Sequence, residues 1–321
     1  MILTFVSPDG TSTVFSRDAT DYHLLKRYGG FAEIPASFQS DKAPGQHGST
    51  LQECLMDERD VWFDILIQAP TEGSDVTTSV FDDAIFDDMI FDNPYQLTLE
   101  RLQDVIAALS AALNPLDGPG TLYYQRENGT IFRLTCSGSE NTVWLDPSNR
   151  SDIHQAATVK LKAHDPFWYS GSVNRTTFAP SDAGWIPWAI PWTIPTSINV
   201  KDCLNAGTTD TNVAISIWGP IVEPIITNVT VKNGVTTTEI ITTSITLAVD
   251  DRLDITTGID NETVWLTVGA AAPVKAFSYI TVGSKFWQMK KGMNRVTLSC
   301  TSSTVGCGAS ITWSDKYAGV F

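Results

Sequence analysis

Val61-Trp62-Phe63-Asp64-Ile65-Leu66-Ile67 decides the fold class of this chain. The run is of strand length, almost continuously apolar, and rich in branched and aromatic side chains, which suits a strand buried within a sheet. We read it as a central strand. Upstream, Ile2 to Val6 and Thr11 to Ser16 flank Ser7-Pro8-Asp9-Gly10. Pro and Gly supply the dihedrals of a tight turn, so the chain opens on a hairpin. A looser stretch runs from Gly29-Gly30 to Pro44-Gly45-Gln46-His47-Gly48.

Downstream of the central strand the spacing predicts one long helix, over about 94–113. Asn93 caps it, Pro94 suits its first turn, and Gln96 stands where a capping-box partner would. Leu102, Val105, Ile106, Leu109 and Leu113 fall on one stripe, and Asn114-Pro115 ends the helix. That stripe needs a cover, which the strands Thr121 to Tyr124, Thr130 to Cys136, Thr142 to Leu145 and Thr158 to His164 provide. Residues 1–171 therefore read as a small β-barrel or sandwich with one packed helix.

Residues 172–197 read as a connecting segment. They contain Trp185-Ile186-Pro187, Trp188-Ala189-Ile190-Pro191 and Trp192-Thr193-Ile194-Pro195. The prolines remove donors and fix φ, favouring an extended chain whose tryptophans are costly to leave wet. From residue 198 to 321, Thr/Val/Ile-rich runs (Val213 to Trp218, Ile225 to Val231, Thr237 to Val249, Thr263 to Val268, Arg295 to Ser299, Ser310 to Trp313) alternate with polar turns. That is the pattern of a β-sandwich. The chain is thus mainly β.

Composition narrows the function classes. With 321 residues, 42% hydrophobic and 18% charged, the chain is globular, and roughly 150 residues per domain suggests two. A formal charge of −15 argues against a surface that tracks nucleic-acid phosphates. No apolar run reaches the ~18–20 residues of a membrane helix, and Met1 to Gly10 lacks the basic start and cleavage site of a signal peptide. The five cysteines (Cys54, Cys136, Cys203, Cys300, Cys307) show no CxxC spacing, and we read them as reduced, mostly buried thiols of an intracellularly made protein.

The densest charge lies in a five-residue repeat, Val80-Phe81-Asp82-Asp83-Ala84, Ile85-Phe86-Asp87-Asp88-Met89, Ile90-Phe91-Asp92-Asn93. Asp82, Asp83, Asp87 and Asp88 are candidate calcium ligands, although their spacing does not follow the EF-hand order. The other readings are a loop that buries Phe81, Phe86 and Phe91 while its carboxylates stay solvated, and a docking surface for a partner. In the partner reading the contacts are Phe81, Phe86, Phe91, Asp87 and Asp88, with Trp185, Trp188 and Trp192 as a second apolar set. The four histidines (His23, His47, His154, His164) are scattered and read as surface or capping residues. With no nucleophile elbow, P-loop or dinucleotide fingerprint, no catalytic residue and no cofactor are expected. Asp250-Asp251 and Asp254 beside Arg252 read as a polar turn. Trp265 is a candidate for stacking on a sugar ring, while most of the ten tryptophans suit core positions.

The order of these motifs resembles that of the distal tail proteins of phages with long, non-contractile tails. Pro44-Gly45-Gln46-His47-Gly48 leads into Arg59-Asp60-Val61-Trp62-Phe63-Asp64-Ile65. The helix ending at Asn114-Pro115, the hairpin from Thr121-Leu122-Tyr123, and Lys160-Leu161-Lys162-Ala163-His164-Asp165-Pro166-Phe167-Trp168-Tyr169 follow. The second half continues with Asn205-Ala206-Gly207-Thr208, Gly219-Pro220-Ile221-Val222-Glu223-Pro224-Ile225-Ile226, Leu253-Asp254-Ile255-Thr256-Thr257 and Lys291-Gly292-Met293-Asn294. The resemblance implies a tail-tube-like N-terminal domain forming a hexameric ring and a galectin-like C-terminal sandwich. It further implies a non-enzymatic virion protein at the distal end of the tail, assembled in the host cytoplasm. Its partners would be further copies of itself, the tail tube protein, the tail-tip hub or tail-associated protein, and receptor-binding or peripheral tail proteins. DNA would pass through the lumen without specific binding, and no membrane is involved. The Phe-Asp-Asp and Trp-Ile-Pro repeats depart from the family pattern. The alternative reading is a carbohydrate-binding receptor-recognition protein of the tail tip.

Overall fold

The computed structural model describes residues 1–19, 21–32, 34–41, 50–68, 94–151, 154–179, 199–258, 261–303 and 306–320. They form two units, Met1–Gly171 with Ala318–Phe321, and Ser172–Tyr317. The fold is mainly β, as the sequence suggests.

The first unit contains β1 (Ile2–Val6), β2 (Ser12–Ser16), β3 (Tyr22–Gly29), β4 (Ala36–Asp41), β5 (Thr50–Met56), β6 (Arg59–Gln68), α1 (Pro94–Ala112), β7 (Gly120–Gln125), β8 (Ile131–Arg150), β9 (His154–Ala163) and β10 (Trp168–Ser170). The first hairpin turns as its residues require. Gly10 takes φ +90, its N–H reaches the Ser7 carbonyl at 2.9 Å, and the Asp9 carboxylate accepts the Thr11 N–H at 2.9 Å. Strands follow in the order β8-β7-β1-β2-β3-β6-β9, and β9 pairs back onto β8. The sheet thus closes into a barrel, which leaves no open edge among those strands.

β6 lies between β3 and β9. Its Val61, Phe63, Ile65 and Ile67 are fully buried, and Trp62, Asp64 and Leu66 on the other face are half-buried. This two-sided cover explains why the run is continuously apolar. Trp62 lies so close to Gly29 that a Cβ there would sit 2.6 Å from the indole nitrogen. Inside, the rings of Phe15 and Phe63 meet edge-on at 5.0 Å, and Phe31 stacks on Trp168 at 5.5 Å.

α1 packs against β6 and β2. Leu102, Leu109 and Leu113 are buried, while Val105 and Ile106 form the half-exposed margin of the stripe. The Tyr22 hydroxyl donates to the Val105 carbonyl at 3.1 Å. Asn114 caps the short turn that follows, accepting the Leu116 N–H at 3.2 Å.

Two local readings change. The separate strands at Thr130 to Cys136 and Thr142 to Leu145 are one strand, β8, whose pairing with β9 shifts between Gly138 and Val143. A bulge with Asn141 at φ 56 absorbs the turn-like residues. Part of the looser stretch after Gly30 is the β4–β5 hairpin.

The second unit is a sandwich. Its strands are β11 (Asn174–Phe178), β12 (Asn199–Asn205), β13 (Val213–Trp218), β14 (Ile221–Val222), β15 (Ile225–Lys232), β16 (Val235–Thr242), β17 (Thr246–Leu247), β18 (Arg252–Gly258), β19 (Asn261–Thr267), β20 (Val274–Lys275), β21 (Gly292–Ser299), β22 (Ser302–Ser303) and β23 (Gly308–Trp313). A six-stranded sheet (β11-β23-β13-β18-β19-β20) faces a four-stranded one (β12-β21-β15-β16), with a small β17-β14-β22 sheet beside them. Ile215, Ile255 and Ile311 from the first meet Ile226, Val296 and Ile241 from the second in one core, which also holds Trp287 and Met289. β15 and β16 join through Asn233 (φ 52) and Gly234 (φ 77), the positive-φ pair that a two-residue hairpin turn needs. The run Thr237 to Val249 is split between β16 and β17, because Ile245 turns inward and the Thr243 hydroxyl donates to the Pro224 carbonyl at 2.9 Å. Asn174–Phe178, within the segment expected to connect two domains, pairs with β23 as an edge strand of the sandwich.

Candidate functional site

At the start of β6, the Arg59 side chain is fully buried. Its Nε donates to the Pro166 carbonyl at 2.6 Å, its Nη1 to the Gly30 carbonyl at 2.6 Å, and its Nη2 to the Ala318 carbonyl. Burial lowers its pKa to about 10, so the guanidinium stays charged at neutral pH and its planar fork is spent on backbone oxygens. Three distant segments are tied to one side chain. Two glycines make the approach fit. Gly30 takes φ +83, and a Cβ on Gly319 would lie 1.7 Å from the Ala32 carbonyl oxygen. The Val320 N–H completes the junction by donating to the Phe31 carbonyl at 2.9 Å. Arg59 is therefore an anchor of the barrel unit.

The barrel carries an arm. β4 and β5 form a two-stranded sheet of their own, and Phe38, Leu55 and Met56 on it are 67%, 39% and 53% exposed. A two-stranded hairpin without a packed face is marginal in water. Its exposed apolar side chains would be better satisfied against another surface. A shallow groove of about 550 Å³ lies elsewhere on the same unit, between β2 and α1, where Val14, Tyr22, Ala108 and Ala112 line it.

Of the residues singled out from sequence, Asp82, Asp83, Asp87, Asp88, Phe81, Phe86 and Phe91 lie outside the described residues, as do Trp185, Trp188 and Trp192. Among the described residues no cluster of His, Cys, Asp and Glu is suited to a metal ion. Trp265 is half-buried on β19, on the outer face of the six-stranded sheet, between Asp254 on β18 and Lys275 on β20. Asp254 accepts from the Ser216 hydroxyl at 2.6 Å and from Arg252 Nε at 2.8 Å. Asp251 caps its turn, accepting the Ala248 and Gly269 N–H groups at 2.9 and 3.1 Å. The described histidines have local partners: His23 the Arg17 carbonyl, His154 the Ser151 hydroxyl, His164 the Glu58 carboxylate. Cys136, Cys203, Cys300 and Cys307 are buried, and burial pushes the Cys136 thiol up to about 12, where it is inert as a nucleophile. Sequence reasoning quoted Arg59 but missed its role, and missed the arm; the isolated Phe38 between polar neighbours is the one trace the arm leaves in the sequence.

No protein-family model matches the sequence, and no curated protein matches it either. Solved structures do. Two structures of the phage p2 baseplate in its activated conformation, with calcium and with strontium, align over 99% of this chain and 99% of theirs, at 11% identity, with TM-scores of 0.48 and 0.47. The Dit protein (gp 19.1) of phage SPP1, described as a paradigm of the hub adsorption apparatus in phages infecting Gram-positive bacteria, aligns over 98% of both chains at 10% identity, with a TM-score of 0.61. From its first strand to its last, this chain has the fold of that phage hub protein.

Proposed function

We propose that the chain is a structural, non-enzymatic protein of a phage tail tip, located in the virion at the distal end of the tail. In this reading it forms a hexameric ring that joins the tail tube to the baseplate or tail-tip hub. The observation that carries it is a fold shared with a phage hub protein along the whole chain. A ring of identical copies needs two different surfaces that meet head to tail. The β4–β5 arm is the donor surface and the groove beside α1 is the acceptor. The remaining partners are the tail tube protein, the hub or tail-associated protein, and receptor-binding or peripheral tail proteins. DNA passes through the lumen, and the charge of −15 suits a conduit that phosphates do not adhere to. We take assembly to occur in the host cytoplasm. Negative-stain imaging of the purified protein tests the reading: rings with peripheral lobes are expected, and dispersed monomers at high concentration would overturn it.

A second reading rests on Trp265. On the outer sheet face beside Asp254 and Lys275, its half-buried ring offers a stacking platform with polar neighbours for hydroxyl groups. A carbohydrate-binding receptor-recognition role would give glycan-array binding that disappears in Trp265→Ala, and an array without binders would remove it.

A further inference from the structure

The four-stranded sheet of the sandwich has an unusual outer face. Strand alternation places Val229 and Val231 of β15 and Met293 and Arg295 of β21 on that face. Val231 and Met293 are 67% and 58% exposed, where a solvated sheet face would carry polar residues. The face is concave and encloses about 650 Å³. Val229, Val231 and Met293 line it together with Lys232, Lys291 and Arg295. Two carboxylates also enter, each already paired: Asp210 with Lys290 at 3.2 Å and Asp202 with Arg295 at 3.1 Å. What remains is the apolar surface of Val229, Val231 and Met293 together with the lysines Lys232 and Lys291, in a chain whose overall charge is −15.

We propose that this groove docks an acidic peptide bearing phenylalanines, and that its occupant is the stretch 80–93 of a second copy of this chain. Charge and composition match on both sides. The groove offers apolar surface for a Phe ring and cations for the adjacent carboxylates. The stretch offers Phe81-Asp82-Asp83, Phe86-Asp87-Asp88 and Phe91-Asp92-Asn93. Repetition of the unit raises the local concentration of ligand at the groove. A dense polyanion is disfavoured by Asp202 and Asp210, whereas a peptide alternating apolar and acidic side chains avoids them. Since one chain carries both groove and ligand, the contact between copies is head to tail. The inference goes beyond the ring proposal and does not require a phage tail.

The test uses the full chain with Asp82→Asn, Asp83→Asn, Asp87→Asn and Asp88→Asn, so that its own stretch does not compete. A labelled peptide of residues 80–93 should bind it saturably by fluorescence anisotropy. Lys232→Glu with Lys291→Glu should weaken binding at least tenfold, as should replacing the peptide's phenylalanines by serine. Raising salt from roughly 50 to roughly 500 mM should weaken it as well. Thermal melts of the lysine variant should match the parent, because both side chains are at the surface. Absence of binding, binding indifferent to the lysines, or inorganic polyphosphate displacing the peptide at equal concentration would each overturn the proposal. The source is settled by mixing two chains, both with the arm disabled by Phe38→Asp and Met56→Lys. One has the reversed lysines and the other the neutralised stretch. Capture of one by the other is expected; peptide binding without such capture would place the occupant in the same chain and overturn the second-copy assignment. The arm substitutions leave the groove intact, so failure here is separable from failure of the ring.

Discussion

Arg59 illustrates how much weight one side chain can carry. Replacing it by Met leaves the carbonyls of Gly30, Pro166 and Ala318 without their donor, and each buried orphan costs about 1–3 kcal/mol. We expect Arg59→Met to lower stability by several kcal/mol in chemical denaturation, with Arg59→Lys recovering only part, since an ammonium cannot present the planar fork. The Arg59 role was illegible in sequence because its partners are backbone oxygens, which carry no residue signature. Gly319→Ala should displace residues 318–320, detectable as faster hydrogen exchange at Val320, because the methyl group has no room beside Ala32. Glu58 makes a milder case. Hydrogen bonds from Lys162 and then His164 hold its carboxyl below the usual value. The folded state therefore favours the ionised form, and the contribution is present above about pH 4.5 and lost as pH falls through the folded-state pKa. Glu58→Gln should accordingly flatten the acid limb of a stability-versus-pH curve. Unchanged slope below pH 4.5 would argue against it.

At the scale of elements, periodicity was legible and pairing was not. The β6 run and the helix stripe announce themselves, because burial on both faces or on one stripe writes directly into residue type. Leu109→Ala should therefore cost about 2–5 kcal/mol, the usual range for a cavity in a packed interior, measured by denaturant midpoint. The closure of β9 onto β8 rests on register between strands and has no local trace. The β4–β5 arm escaped notice because β4, which is largely exposed, shows no alternation of apolar and polar residues. Substituting Phe38→Asp and Met56→Lys there should leave the melting temperature nearly unchanged while reducing the oligomeric fraction in sedimentation velocity. The two repeats singled out for interaction lie beyond the described residues, so the candidate surface legible in the structure is a different one.

Over the whole molecule, composition and pattern sufficed to read a mainly β chain with a helix in its first half, and the fold agrees. What they could not reveal is the path of the chain. The polypeptide leaves the barrel unit after Gly171 and re-enters it at Ala318, where Arg59, Phe31 and Ala32 receive it. An engineered protease site between Gly171 and Ser172 should yield two fragments that co-migrate under native conditions and separate in denaturant. Mechanically, the sandwich is held by two covalent crossings in parallel. A pull on it is shared between two anchorages in the barrel, one of them clamped by a buried guanidinium, and a single break does not cast it off.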